Sequence, residues 1–290
     1  MKAEQIWCGT GFERATGKQL HRDEKGLALR RGLTVADELG KCNDRDREPI
    51  AGMRLARKTF RLGLLAGETA RLCPYLACDR AGGQLEILVN GHPVIHEWKE
   101  DRPYWTDRWT TLEIPVSWLT EGDNDVCFRA CDNSEWSLLI ESSRLPNRSA
   151  VSEDGGRTWR SEDLGWNNGC DGEYMVRLWL DQYPLVGSAE SEVFDLCRDP
   201  ERDMAVSVPS SVSFGFDSET PEGCEVKLTA RFGSTPEYSP ESWSVWTDVA
   251  SGAAGCARFA QWRLELTTAD PNLTPVVKQV VVRVVVDAEG

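Results

Sequence analysis

The sequence predicts an all-β protein made of two β-sandwich domains. From Gly52 onward, short runs rich in β-branched and aromatic residues are separated by Gly, Asn, Asp and Pro at intervals of about 8–12 residues, which is typical of sandwiches. Between Pro184 and Met204 this alternation is lost in a stretch rich in Ser, Glu, Asp and Arg. It then resumes, and this predicts a second, smaller sandwich.

Length and charge limit the classes of function. The chain has 290 residues, with 33 basic and 47 acidic side chains and a formal net charge of −14. At roughly 150 residues per domain, this length suits two domains. An acidic chain without a basic block would be repelled by phosphate groups, so neither nucleic acid nor an anionic membrane surface is an expected partner.

No segment has the length of a membrane-spanning helix, because the apolar run at 280–286 is interrupted by Arg283 and is far shorter than the ~20 residues required. The N-terminal residues lack the apolar stretch of a signal peptide. The localisation therefore remains undecided between the cytoplasm and secretion with the leader removed.

The ten cysteines are scattered and form no C-x-x-C pair, which disfavours a zinc site. Several of them replace an apolar residue inside a strand-like run, as Cys127 does. We therefore expect free, buried thiols and a reducing compartment, although the even count leaves disulfides open.

The first domain is predicted from residue 51 to 183. Its strand-like runs are Lys58–Leu65, Ala70–Ala77, Gln84–Val89, Thr111–Pro115, Asp125–Ala130 and Trp136–Ser142. Asn90-Gly91 predicts a two-residue hairpin turn, since both residues tolerate positive φ. Residues 172–180 alternate and predict a strand that returns to the same sandwich. Residues 24–39 fit a strand or a short helix, residues 1–50 are expected to extend this domain, and residues 184–204 are expected to be a linker.

Three segments of the first domain resemble the galactose-binding-like jelly roll. They are 85–91 with its Asn-Gly turn, 112–119 with Ile114-Pro115-Val116, and 121–128 with Gly122-Asp123-Asn124. The resemblance covers about residues 50–145 and implies a jelly-roll fold. Its members include carbohydrate-binding modules and accessory domains of glycosidases and lyases, but also domains that bind no sugar.

The segment 152–159 resembles the Asp-box of sialidases, S-x-D-x-G-x-x-W. The matching residues are Ser152, Asp154, Gly156 and Trp159. The resemblance implies a structural hairpin, placed at 149–183, in which the Asp accepts hydrogen bonds from the turn and the Trp packs beneath it. Only one copy occurs, whereas a propeller needs repeated blades, so a sialidase active site is disfavoured.

The second domain is predicted over residues 205–290. Its runs are Ser211–Phe216, Glu225–Phe232, Trp243–Val249, Arg258–Thr267 and Val276–Val286. In the last run, Arg283 is expected to face solvent. Residues 258–276 resemble the closing strands of Ig-like or fibronectin-III-like modules that accompany polysaccharide-degrading proteins.

The densest group of aromatic and ionisable residues lies between two predicted strands, at 96–109. Sugar rings combine apolar C–H faces with hydroxyl groups, so they bind to flat aromatic rings flanked by polar side chains. The predicted ligand-binding residues are Trp98, Glu100, Tyr104, Trp105, Asp107, Arg108 and Trp109. The alternative is that these rings cap the sandwich or pack against residues 1–50.

The leading hypothesis is a non-catalytic carbohydrate-binding or accessory module that binds an oligo- or polysaccharide, with a catalytic protein as a further potential partner. No nucleophile, phosphate-binding or zinc-protease motif is present. The first alternative is a polysaccharide lyase or glycoside hydrolase. Its acid and base would come from Glu97, Glu100, Asp101 and Asp107, or from Tyr104 with His96 or Arg108. The second alternative is a structural module that binds another protein.

No cofactor is expected. A structural calcium ion was weighed at Asn43, Asp44, Asp46 and Glu48, which supply oxygen ligands without EF-hand spacing. The neighbouring Lys41, Arg45 and Arg47 would oppose a dication, so a solvated polar loop is the favoured interpretation.

Overall fold

The computed structural model describes residues 2–8, 12, 14–35, 42–99, 108–141, 147–199, 204–205, 208–249 and 257–287. Within these residues all regular structure is β, apart from a single 3-10 turn at Val116–Trp118. The all-β prediction is therefore confirmed. None of the described residues belongs to a helix long and apolar enough to cross a membrane.

The chain forms two compact units, one made of residues 1–31 with 183–290 and the other of residues 32–182. We call them the enclosing unit and the inserted unit. The enclosing unit begins with β1 (Lys2–Cys8), β2 (Thr16–Lys18), β3 (Leu20–Asp23) and β4 (Gly26–Leu29). The strands of the inserted unit are β5 (Leu33–Val35), β6 (Cys42–Ile50), β7 (Leu55–Leu62), β8 (Thr69–Cys78), β9 (Gln84–Val89), β10 (His92–Glu97), β11 (Arg108–Trp109), β12 (Leu112–Pro115), β13 (Gly122–Ala130), β14 (Trp136–Glu141), β15 (Ser149–Ser152), β16 (Glu173–Tyr174) and β17 (Val176–Leu180). The enclosing unit resumes with β18 (Val186–Glu190), β19 (Phe194–Asp195), β20 (Arg198–Asp199), β21 (Met204–Ala205), β22 (Ser211–Glu219), β23 (Cys224–Gly233), β24 (Thr247–Asp248), β25 (Phe259–Thr268) and β26 (Val276–Asp287).

The inserted unit is a β-sandwich. One sheet has the order β10-β9-β13-β7-β15, and the other has the order β16-β14-β8-β17-β5, with β11 and β12 also paired to β8 and β6 paired to β14. Alternate residues of each strand point into one shared core, for example Leu72 and Leu76 from the larger sheet and Ile87 and Phe128 from the smaller. The intervening residues of β8 therefore face outward from the larger sheet.

The Asn90-Gly91 hairpin is confirmed. Both residues have positive φ, 49° and 85°, and they join β9 to β10 in the register that a two-residue loop requires. The Asn90 side chain also fixes the neighbouring loop, because its Nδ2 donates to the Trp118 carbonyl at 2.9 Å and to Asn124 Oδ1 at 2.8 Å.

The turn at 152–159 is organised around one carboxylate. Asp154 Oδ1 accepts the backbone N–H groups of Arg157 and Thr158, both at 2.9 Å, and the Ser152 hydroxyl at 2.8 Å. The Thr158 hydroxyl donates to Oδ2 at 2.7 Å. Trp159 Nε1 donates to the Gly156 carbonyl at 3.1 Å, so the indole lies under the turn.

These hydrogen bonds give a pH prediction. The donors, first of all the Thr158 backbone N–H, lower the pKa of Asp154 from 3.8 to about 2. The stability that this carboxylate contributes is therefore present above pH 3.8 and is lost as the pH falls through about 2. NMR titration of the Asp154 carboxyl carbon should give this low value, and Thr158→Val should raise it. An ordinary value in the native chain would contradict the described turn.

The enclosing unit has two sheets of its own. In one, β26 pairs with β22 on one side and with β1 and β4 on the other, and β4 continues to β3. In the other, the order is β2-β18-β25-β23-β24, with β19 also on β25. Leu264, Trp262 and Val280 lie in its core. Arg283 is exposed between the buried Val282 and Val284, as predicted.

The domain boundaries differ from those expected. Residues 1–31 do not extend the first sandwich, because β26 needs a partner on its second side and finds it in β1 and β4. The expected linker at 184–204 contains β18, which pairs with β25. Its strands are two to five residues long, too short to leave a clear alternation in the sequence.

The seven cysteines whose side chains are described are free thiols, as expected, but only Cys78 among them is buried. Burial raises the pKa of the Cys78, Cys127 and Cys170 thiols to about 11, so these three remain protonated at neutral pH.

Candidate functional site

The predicted binding loop is only partly described. Glu100, Tyr104, Trp105 and Asp107 lie outside the described residues, so their roles stay predictions. Trp98, Arg108 and Trp109 are described and line one cavity, but the two indoles differ in exposure. Trp98 points inward, whereas Trp109 lies on the outer surface of the larger sheet with 36% of its area exposed.

Trp98 is a core residue and not an open platform. It is 2% exposed, and its ring meets the ring of the fully buried Trp136 edge-on, with centroids 5.7 Å apart. The Arg108 guanidinium lies 5.2 Å from the Trp98 ring centroid. The prediction that Trp98 binds a ligand is therefore corrected. Trp98 directly follows β10, and its side chain packs into the hydrophobic core.

His96 contacts the same cluster, with its ring 5.7 Å from that of Trp136. Burial, assisted by the charge of Lys99, lowers the pKa of His96, so the imidazole is neutral at pH 7. Residues 95–99 and 108–110 line an open cavity of about 610 Å³. The residues that connect these two walls, 100–107, are those outside the description, so the catalytic alternative there also stays a prediction.

A second location combines an exposed indole with polar groups. Trp166 is 59% exposed and lines a small depression of about 40 Å³. We call it the Trp166 depression. The other residues that line it are Arg47, Ala77, Cys78, Asp79, Glu135, Trp136 and Ser137. Ala77 and Ser137 are a cross-strand pair on β8 and β14, and they contribute small side chains beside the indole.

The loop that carries Trp166 is fixed by hydrogen bonds. The Gly165 N–H donates to the buried carboxylate of Glu48 at 2.8 Å, and the Gly165 carbonyl accepts from Arg54 at 3.0 Å. Asn168 Oδ1 accepts from Arg54 and from Arg160 at 2.9 and 2.8 Å. Because the preceding Leu164 is also fully buried, the backbone that carries the indole is held in place before any ligand arrives.

The acidic groups of the depression are held by the backbone. Asp79 Oδ1 accepts the Glu135 N–H at 3.0 Å, and the Asp79 N–H donates to the Glu135 carbonyl at 2.9 Å. Asp79 Oδ2 accepts no hydrogen bond from the described residues. The depression thus presents carboxylate acceptors, a hydroxyl and a guanidinium donor next to an apolar ring, which is the composition that sugar hydroxyls and C–H faces require.

Its volume limits what can enter. About 40 Å³ is close to the volume of one water molecule, so the depression can take a single hydroxyl or hydroxymethyl group and not a whole sugar ring. A ring would instead lie on the exposed face of Trp166.

Sequence reasoning missed Trp166. The available signal was a Trp inside the turn-forming run Gly165-Trp166-Asn167-Asn168-Gly169, where a large apolar side chain has no strand to pack under. The segment considered for calcium, for which the sequence favours a solvated polar loop, forms strand β6 instead, and the buried carboxylate of Glu48 is bound by Arg54 at 2.8 Å and by the Tyr174 hydroxyl at 3.0 Å. Glu48 is therefore an internal ion-pair partner.

No protein-family profile matches the sequence, and no curated protein matches it. Solved structures with similarity include a family two carbohydrate esterase from Cellvibrio japonicus, 10% identical over 50% of this chain and 37% of that chain, with a TM-score of 0.15. An α-L-rhamnosidase from Dictyoglumus thermophilum is 11% identical over 91% of this chain and 35% of that chain, with a TM-score of 0.22. The carbohydrate-binding module CBM35 from Cellvibrio japonicus is 13% identical over 56% of this chain and all of that chain, with a TM-score of 0.19.

The chain spans about a third of the length of the esterase and of the rhamnosidase. At such TM-scores the similarities decide nothing about activity. The assignment of an all-β sandwich rests on the strand pairing of the chain itself.

Proposed function

We propose that the inserted unit is a non-catalytic carbohydrate-binding module and that the Trp166 depression holds its ligand. The observation that carries this proposal is the exposed, fixed indole of Trp166 beside the Asp79 carboxylate. A sugar ring stacks its C–H face on the indole and places one hydroxyl-bearing group in the depression, where Asp79 Oδ2 accepts a hydrogen bond from the hydroxyl.

The experiment first screens the full chain for binding to a panel of neutral oligosaccharides. The affinity for the best ligand of this panel is then measured by calorimetry. Trp166→Ala should weaken binding at least about tenfold, because stacking of this kind contributes about 1–1.5 kcal/mol beyond the buried area. Asp79→Asn should weaken it as well, since an amide cannot replace both acceptor oxygens.

Val245→Ala is a suitable control, because Val245 is 82% exposed and lies in the enclosing unit. It should leave both binding and the unfolding midpoint unchanged. Unaltered binding in Trp166→Ala, or failure of every glycan to bind the native chain, would refute the proposal.

Two finer assignments belong to the same proposal. The 152–159 turn is an Asp-box-type hairpin, supported by its carboxylate-centred hydrogen bonds, and its role is to hold the loop that leads to Trp166. The enclosing unit is a fibronectin-III-like or Ig-like accessory module, supported by its two-sheet arrangement. The oligo- or polysaccharide partner and a catalytic protein partner are proposed on the same basis.

A further inference from the structure

A second surface of the inserted unit carries arginine side chains stacked on aromatic rings. We call it the arginine–tryptophan face and define it as Arg71, Tyr75, Trp109, Arg177 and Trp179. The register places Trp109 opposite Tyr75 and Trp179 opposite Arg71, while Arg177 is opposite Cys73. Since Leu72, Leu76 and Leu178 point into the core, these alternate residues all face outward from the larger sheet.

Each guanidinium group lies over an indole. Arg177 Cζ is 4.4 Å from the ring centroid of Trp109, and Arg71 Cζ is 4.7 Å from that of Trp179. Tyr75 meets Trp109 edge-on at 5.2 Å. Such stacking fixes the plane of a guanidinium group and leaves its N–H edge available to an acceptor.

Next to the stacked pairs, the face is lined by small side chains. Cys73 and Thr111 occupy this position, with Cys73 Sγ 3.9 Å from Thr111 Oγ1. Arg177 of β17 lies opposite Cys73, and Trp109 lies beyond β8 on β11, so the Arg177 side chain reaches over β8 beside these two small residues.

The charge of this face is opposite to that of the chain. The net charge is −14, yet no carboxylate of the described residues lies within 4.0 Å of Arg177, which is exposed. Arg71 has a loose pairing with Glu113 at 3.7 Å, in which both side chains are largely in solvent. Arg71 and Arg177 are diagonal neighbours on adjacent strands, with Cα atoms about 7–8 Å apart, so two like charges lie side by side.

We infer that the arginine–tryptophan face binds an anionic polysaccharide of uronic acid units. Guanidinium groups recognise carboxylates through paired hydrogen bonds, and stacking on the indoles orients the N–H edges of both arginines for such contacts. Repulsion by the net charge is limited, because charges farther away than about 8 Å are screened at physiological salt. Nucleic acid is a poorer fit, since its charge density is much higher and the chain has no basic block.

The test is binding of the full chain to polygalacturonate, with the carboxyl-reduced form of the same polymer and a sulfated galactan as comparison ligands. The native chain should bind polygalacturonate, and Arg177→Gln should weaken this binding about tenfold, which is the usual scale for one charge-assisted hydrogen bond. Arg71→Gln should act in the same direction, and raised salt should weaken binding.

The matched control is Arg61→Gln, which removes the same charge from an exposed position on β7 of the opposite sheet. It should leave polygalacturonate binding unchanged. The inference is overturned if the carboxyl-reduced polymer binds equally well, if the sulfated galactan binds more tightly than polygalacturonate, or if Arg177→Gln and Arg61→Gln have the same effect. Binding of neutral glycans at Trp166 is measured in a separate assay. A negative result for the arginine–tryptophan face is therefore distinguishable from a negative result for the Trp166 depression.

Discussion

Trp98→Ala is expected to lower the free energy of unfolding of the inserted unit by about 3–5 kcal/mol, the range for removal of a large buried aromatic ring. Trp98 is 2% exposed and packs edge-on against Trp136. Its backbone also joins the neighbouring loop, since the Trp98 N–H donates to the Gly83 carbonyl at 2.9 Å. Urea denaturation followed by tryptophan fluorescence would measure the loss.

Two matched variants make this result specific. Trp166→Ala removes the same side chain from an exposed position and should change stability by no more than about 0.5 kcal/mol. Trp98→Phe should cost less than Trp98→Ala, because it keeps most of the ring and removes the buried Nε1–H, which has no acceptor among the described residues. Equal losses in Trp98→Ala and Trp166→Ala would contradict the core position of Trp98.

Lys58→Met should be comparably destabilising, by about 3–5 kcal/mol, because it leaves a buried carboxylate without its cation. Lys58 is 2% exposed, and its Nζ lies 2.5 Å from Glu173 Oε2. Glu173 retains the Ser149 hydroxyl at 2.6 Å and the Arg148 N–H at 2.8 Å, but neither carries a charge. Thermal and urea unfolding of the full chain would measure the change.

The double variant Lys58→Met with Glu173→Gln distinguishes the loss of the ion pair from the change in packing that the Lys58 substitution causes. It should be more stable than the sum of the single changes predicts, because position 173 then no longer carries a buried charge that has lost its cation. Additive losses would show that the ion pair has no role of its own.

Lys58 also sets a pH dependence. Burial lowers the pKa of Lys58 below 10.5, although Glu173 opposes the shift. The unfolded chain therefore binds a proton more tightly, and the contribution of this group to stability rises with pH between its folded pKa and 10.5. Lys58→Met should remove that rise.

Local signals in the sequence were sufficient for most of the longer strands after residue 55 and for one turn. Asn90-Gly91 specifies its hairpin through the backbone preferences of two adjacent residues, and Arg283 faces solvent because β26 alternates. The domain boundaries depend on pairing between residues 2–8 and 281–287, which are separated by almost the whole chain. No pattern within either segment reveals its partner.

The candidate binding site was harder to predict than the strands, because it also depends on contacts between residues that are distant in the sequence. Trp98, Trp109 and Trp166 are all tryptophans between strand-like runs, but their exposed fractions are 2%, 36% and 59%. Trp98 is buried because its segment packs into the core. Trp166 stays exposed on a loop whose Gly165 backbone is hydrogen-bonded to Arg54 and Glu48. Such contacts bring together residues more than 100 positions apart, so the sequence indicates the residue types of the candidate site without its location.

The pairing of β1 and β4 with β26 has a consequence for synthesis. The enclosing unit cannot complete its first sheet until residues 276–287 exist. The inserted unit needs only residues 32–182, whose two ends meet where the Gly32 N–H donates to the Gln182 carbonyl at 2.9 Å. During translation the inserted unit can therefore reach its native state first. By holding residues 31 and 183 together, it then shortens the loop that β1 must close to find its partner.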